Sequence, residues 1–267
     1  PAPGRSAPEG SAPAAAAEAA GLLAAGPALT RELESEPARI ERLSNIRELV
    51  FGAQDGLVST FAVAAGLAAA QASHLVVFLA GLVSAAAGIL SMSVGTFLSS
   101  RAQRQVYEAE LARERAEIAE RPGEETAELL AALVGRGMSR SDAAQVVRRV
   151  ARHPRLMLDL LGVFELGLAP QRLGTPVRDA LVMAAAFGAG SLVPLLPFLF
   201  PPVGIDLAVA AGLTLSTLFV LGVIKGSLAQ VPRLRSGLEV LVLGAGSGLV
   251  GYGLGRLASV ALGVEVG

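Results

Sequence analysis

The 267-residue chain has no cysteine, which excludes disulfides, thiolate metal sites and redox motifs. It has no tryptophan, and only two histidines, His74 and His153, which stand too far apart in sequence to suggest a paired-imidazole site. Both are read as surface residues, His74 in a short outer link and His153 before Pro154 in a turn. No serine nucleophile motif and no phosphate-binding loop is present, so an enzyme is not expected. Only 17% of residues are charged, the net charge of -1 by itself says nothing about partners, and no nucleic-acid partner is expected.

What is present is apolar, at 52% of the chain, and it comes in blocks. Five stretches reach the ~20 residues that cross a hydrocarbon core: about 47–70, 75–99, 177–200, 204–225 and 236–262. They are rich in Ala, Leu, Val and Gly without a period of two, so helices rather than barrel strands must satisfy their backbones. The sequence therefore predicts an all-α membrane protein of five transmembrane helices.

The basic residues orient it. Arg31, Arg39, Arg42 and Arg47 precede or open the first span, thirteen Arg lie from Arg101 to Arg178, and Lys225, Arg233 and Arg235 flank the link between spans four and five. The links 71–74 and 201–206 contain neither Lys nor Arg. The positive-inside rule then places the N-terminus and the middle segment in the cytoplasm and the C-terminus outside. Residues 1–40, rich in Ala, Pro, Gly and Glu, read as a flexible leader with a short helix around Ala14–Leu23. Glu18 interrupts its apolar part, against a secretory signal. Spans one and two then occupy 41–100, a helical domain 101–175, and the remaining spans 176–267. A bacterial inner membrane is the expected host.

The middle segment is polar, helical in pattern and too long for a plain connection. Residues 101–121 extend span two, and Pro122-Gly123 ends that helix. A second helix runs to about Val134, with Glu124 and Glu125 in its first turn. Ser139 caps a third, with Ala143, Val146, Val147 and Val150 on one face. A last amphipathic helix follows His153-Pro154 over Leu156–Leu168.

Two sets of carboxylates carry the chemistry. Asp55 lies inside the first span, where an ionised side chain costs ~2.5–3.5 kcal/mol on insertion scales and points to ion or proton passage. Glu114 and Glu117 are three apart, as are Glu125 and Glu128 on the next helix, so each pair shares a face. The two faces either meet as an oxygen-rich pocket, with Glu165 as a further contributor, or form a solvated acidic surface paired with arginines. Carboxylates of that kind suit Fe²⁺, Mn²⁺ or Mg²⁺.

The run Arg47-Glu48-Leu49-Val50-Phe51-Gly52-Ala53-Gln54-Asp55-Gly56-Leu57-Val58-Ser59 resembles the first-span signature of the vacuolar iron transporter family. Further resemblances follow in order: Leu90–Gly95 with its Ser91-Met92-Ser93, the Glu110–Ile118 helix, Phe164–Leu168, Leu192–Pro197, and Gly222–Gly226. They cover about residues 42–260. The resemblance implies a homodimer of five-span protomers with a cytosolic metal-binding helical domain between spans two and three. It also implies transport of Fe²⁺ or Mn²⁺ out of the cytoplasm in exchange for protons. By position it assigns Asp55 and Met92 to the membrane path, and Glu114, Glu117, Glu125, Glu128 and Glu165 to cytosolic ligation. The ions are cargo, with no permanently bound cofactor.

Two departures stand out. Ser84 occupies a place where some relatives carry Glu, leaving Asp55 as the expected sole carboxylate of the membrane path. Leu161 and Gly162 replace a Met pair found in others. Gly52 and Gly56, and Gly244, Gly248, Gly251 and Gly255, form small-xxx-small patterns for close helix packing, and the first pair is also a candidate dimer contact. The alternative function is a membrane-anchored interaction or lipid-sensing protein whose Arg-rich domain docks on anionic headgroups.

Overall fold

The computed structural model describes residues 26–164, 175–200 and 204–262, with side chains from residue 46 onward. The chain divides into two units, 1–43 and 44–267. The first contributes the opening turns of helix α1 (Gly26–Ala69). Helical backbone thus begins within the stretch expected to be flexible, where Arg31–Glu34 and Ala38–Arg42 are good helix formers. The short helix expected around Ala14–Leu23 lies outside the described residues.

In the second unit the described elements are α-helical apart from one 3₁₀ turn. After α1 come α2 (His74–Glu120), α3 (Pro122–Gly135), α4 (Arg140–Val150), α5 (Pro154–Phe164) and α6 (Pro176–Leu195). The 3₁₀ turn Leu196–Leu199 leads to α7 (Asp206–Leu228) and α8 (Arg233–Leu262). Five of these helices are long and apolar enough to cross a membrane: α1 from Ile46, α2, α6 with its 3₁₀ extension, α7 and α8. Their outer faces stay apolar and uncovered, as at Leu249, 73% exposed, and Val260, 77% exposed. Such surface is costly in water and favourable against lipid tails, and the protein is a membrane protein.

Within the bundle, α2 lies along α6 and α7 along α8, while α1 packs against both α6 and α8. Glycines make these crossings close. A Cβ at Gly56 would strike the Phe187 carbonyl of α6, and one at Gly255 would strike the Gly66 backbone of α1. Gly190 meets Ala53, and Gly251 meets Ala62, in the same backbone-to-backbone manner. The small-residue stripe on α8 is thus a packing surface for α1. The Gly52/Gly56 stripe, considered as a dimer contact, is instead filled by Met183, Ala186, Phe187 and Ser191 of the same chain. Leu57, Leu218 and Val240 close a core among α1, α7 and α8.

At one end of the bundle, Phe61, Ala64, Val77, Phe198 and Ala210 form a second core. His74, read from sequence as a surface residue, is half-buried there. Its Nδ1 lies 3.7 Å from Asp206, and its ring is tilted against Phe198 with centroids 5.2 Å apart. Opening α2 and α7 at the same level brings the two residues together, which sequence distance conceals.

At the other end α2 runs beyond its apolar part and meets α3 and α5, with α4 packed against both of these. Arg121 ends α2, and Pro122 starts α3 in a first turn that needs no proline N–H. Ser139 caps α4, its Oγ accepting from the Asp142 N–H at 3.2 Å. Ala143, Val147 and Val150 are buried as expected, but Val146 is exposed, because its azimuth falls off the stripe shared by the other three. Leu129, Val147, Val150, Met157 and Leu161 form the core of this small assembly. Leu161 and Gly162, the departures from the family pattern, are both buried, Gly162 beside the Leu111 side chain. The end of the expected last helix, 165–168, lies outside the described residues.

Gly56→Leu is expected to reduce folded yield sharply and lower the melting temperature in detergent. Its cost is on the order of 1–3 kcal/mol or more, because the obstacle is backbone rather than a movable side chain. Gly253→Ala, where nothing lies within 4 Å, should leave both unchanged. Size-exclusion profiles and thermal unfolding of the two variants check this.

Candidate functional site

The first candidate site forms where α1, α2 and α6 meet at the end of the bundle nearest α3–α5. Glu48 on α1 is only 7% exposed. Arg47, its neighbour in sequence, bends back over it. Arg47 donates through Nη2 to Glu48 Oε1 at 2.7 Å and through Nε to Oε2 at 3.2 Å. Asp179 in the first turn of α6 is also buried. Its Oδ2 accepts a hydrogen bond from Ser100 Oγ of α2 at 2.9 Å, and its charge is within reach of Arg47. Between these elements lies a cavity of about 600 Å³ lined by Arg47, Glu48, Met92, Thr96, Ser99, Ser100, Gln103 and Met183, among others.

Met92, assigned to the membrane path by resemblance, therefore lines a cavity of mixed polar and apolar walls rather than a packed core. Asp55, assigned with it, is half-buried on α1 and is not one of the cavity's lining residues. Its backbone carbonyl accepts from Ser59 Oγ at 2.7 Å. The two are not brought into one shell. Glu48 and Asp55 are seven residues apart, which puts them on one face of α1 about 10 Å apart along the axis. Sequence reading treated Glu48 only as part of a motif, although that seven-residue spacing was a usable signal. Asp179 and Met183 gave no such signal, because their place depends on how α6 crosses α1. Beside Asp55 the described residues hold two further buried carboxylates, Glu48 and Asp179, at the end of the bundle nearest α3–α5.

The second site is the contact of α2 with α3. Glu114 is 1% exposed and Glu125 4% exposed, and their side chains share a hydrogen bond. Burial raises the Glu125 pKa above the ordinary carboxylate range; the hydrogen bond from Glu114 works against that, and the charges of Glu128 and Glu117 add to it. Glu125 Oε2 is buried without a hydrogen-bond partner. Glu117 is half-buried between Arg113 and Arg121, each 3.9 Å away, and Glu128 is exposed. The pairs thus split between the two readings left open: Glu114 and Glu125 face each other, while Glu117 pairs with arginines and Glu128 faces solvent. Glu165 lies outside the described residues. Among the described residues no three His, Cys, Asp or Glu side chains stand together as a ready metal shell.

Residues 46–256 match the VIT family. The chain belongs to the VIT family. It is 34% identical over 212 residues to vacuolar iron transporter 1 of Eucalyptus grandis, covering 79% of this chain and 85% of the relative. With vacuolar iron transporter 1 of Arabidopsis thaliana it shares 35% over 201 residues, 75% of this chain and 80% of the relative. With a vacuolar iron transporter of Toxoplasma gondii it shares 31% over 235 residues, 83% and 76% respectively. The VIT-family match spans both carboxylate sites, from Glu48 through Glu125 to Asp179. The family and these relatives are transporters, which supports the expectation that the chain is not an enzyme.

The raised pKa of Glu125 has a consequence for stability. A carboxyl group that is harder to ionise when folded stabilises the fold fully at pH below its unfolded value, and that contribution is lost as pH rises through the folded value. Thermal unfolding in metal-free buffer should therefore show the α2–α3 contact weakening as pH climbs past the ordinary carboxylate range. Glu125→Gln should flatten that dependence, with hydrogen exchange of α3 as the local readout.

Proposed function

We propose that this VIT-family chain transports Fe²⁺ or Mn²⁺ out of the cytoplasm in exchange for protons, contributing to iron and manganese homeostasis. The observation that carries the reading is the cavity between α1, α2 and α6. It combines a buried carboxylate, Glu48, with two thioethers, Met92 and Met183. Oxygen and thioether donors together suit a borderline divalent ion better than Ca²⁺ or Mg²⁺, which take oxygen alone. Asp55, two helical turns further along α1, offers the next carboxylate and a group able to hold either the ion or a proton.

In this proposal the cavity faces the cytoplasm, on the side where the arginines concentrate. The segment α3–α5 is then a cytosolic domain in which Glu114 and Glu125 collect ions, with Glu117, Glu128 and Glu165 as further ligands. A divalent ion there would replace the proton shared by the buried pair. The working unit is a homodimer, with its contact on a face other than Gly52/Gly56, and the host is the inner membrane of a bacterium.

The lipid-sensing alternative draws on the exposed arginines 140, 148, 149, 152 and 155, none of which is in an ion pair among the described residues. Flux in proteoliposomes with an imposed pH gradient separates the two. Wild type is expected to move Fe²⁺ or Mn²⁺ and to move protons the other way, and Asp55→Ala to fall to the background of protein-free vesicles. Equal flux in both proteins would remove Asp55 from the mechanism, and no flux in either would favour the alternative.

A further inference from the structure

The pair at the cavity mouth is asymmetric. Glu48 is buried, with its side chain 8% exposed, whereas the Arg47 side chain is 78% exposed although both its contacts go inward to that carboxylate. A long, hydrated side chain is thus anchored only at its charged tip. The tip lies beside Glu48 and within electrostatic reach of Asp179. Both oxygens of Glu48 are taken, and a bidentate guanidinium occupies the positions a cation would use.

We propose that Arg47 is a tethered stand-in for the transported cation, holding the Glu48 carboxylate until a divalent ion displaces it. The inference rests on the transport reading and adds a role for a residue that binds no metal. A buried carboxylate left without a partner is costly, so an empty cavity needs a resident positive charge. Arg47 supplies that charge without blocking entry, because its exposed stem can swing into water while its backbone stays in α1. The cost of displacing it sets a threshold: scarce or weakly binding cations fail to replace a bidentate arginine, whereas a divalent ion held by Glu48 and the Met92 and Met183 thioethers succeeds. As the ion moves on towards Asp55, Arg47 returns and opposes its backflow.

The test measures Mn²⁺ flux into proteoliposomes against Mn²⁺ concentration at a fixed pH gradient, for wild type, Arg47→Gln, Arg47→Lys and Glu48→Gln. Removing the competitor should lower the half-saturating Mn²⁺ concentration about fivefold in Arg47→Gln, the scale of one partly exposed ion pair. Arg47→Lys, which keeps the charge but loses the fork, should shift it in the same direction by less. Equilibrium Mn²⁺ binding to the detergent-solubilised protein completes the cycle: Arg47→Gln should tighten it alone but not when combined with Glu48→Gln. A half-saturation unchanged or raised in Arg47→Gln, or an equal tightening in the Glu48→Gln background, overturns the assignment. If Arg47→Gln does not fold, an unshifted Arg47→Lys does the same. Wild-type vesicles without Mn²⁺ or Fe²⁺ flux overturn the transport reading, whereas wild-type flux with unshifted Arg47 variants overturns this inference alone.

Discussion

Everything at the cavity depends on how closely α1 approaches α6 and α8. Backbone meets backbone at Gly56 and Phe187, at Gly190 and Ala53, and at Gly255 and Gly66. In a bilayer such contacts are held by dispersion and by the absence of side chains, because lipid offers no hydrophobic drive for one apolar helix to prefer another. The consequence is positional. With α1 pressed onto α6 at two points, Glu48 lines the cavity, Asp179 is buried beside it on Ser100, and Met183 packs beside Gly52 rather than into lipid. A wider crossing would separate the carboxylates and let the cavity open sideways.

The chain places buried carboxylates in two environments and compensates them differently. Where α1, α2 and α6 meet, the compensation is a neighbouring cation and a hydroxyl, Arg47 for Glu48 and Ser100 for Asp179. Between α2 and α3 it is a hydrogen bond between two acids, Glu114 and Glu125, with the Glu125 carboxyl made harder to ionise by its burial. In the transport function proposed above, a divalent cation would displace an arginine in one and a proton in the other.

The spans were legible in the sequence because their signal is one-dimensional. An apolar run either reaches the length of a hydrocarbon core or does not, and four of the five runs recur as helices within a few residues of their expected bounds, while the second starts where expected and continues to Glu120. The helices of the middle segment were legible for a similar reason, since Pro122, Ser139 and Pro154 punctuate the chain locally. Pairing was not legible. The Glu spacing of three identified a shared face on each helix but could not say which members turn inward, and only Glu114 and Glu125 do. His74 was misplaced for the same reason, its partners Phe198 and Asp206 being more than a hundred residues away.

The sequence by itself determined that this is a five-span helical membrane chain of the VIT type with an acid in its first span, because hydropathy, caps and motif order are properties of neighbouring residues. Tertiary structure decided which carboxylates are buried and what lies beside them. Glu48 and Asp179 are both buried within reach of Arg47 only because α1 and α6 cross at glycines, and the Gly52/Gly56 stripe packs at that crossing. The physical reason is that a helix face can be read from spacing, but its neighbour is chosen by steric fit, and burial of a charge follows from that choice.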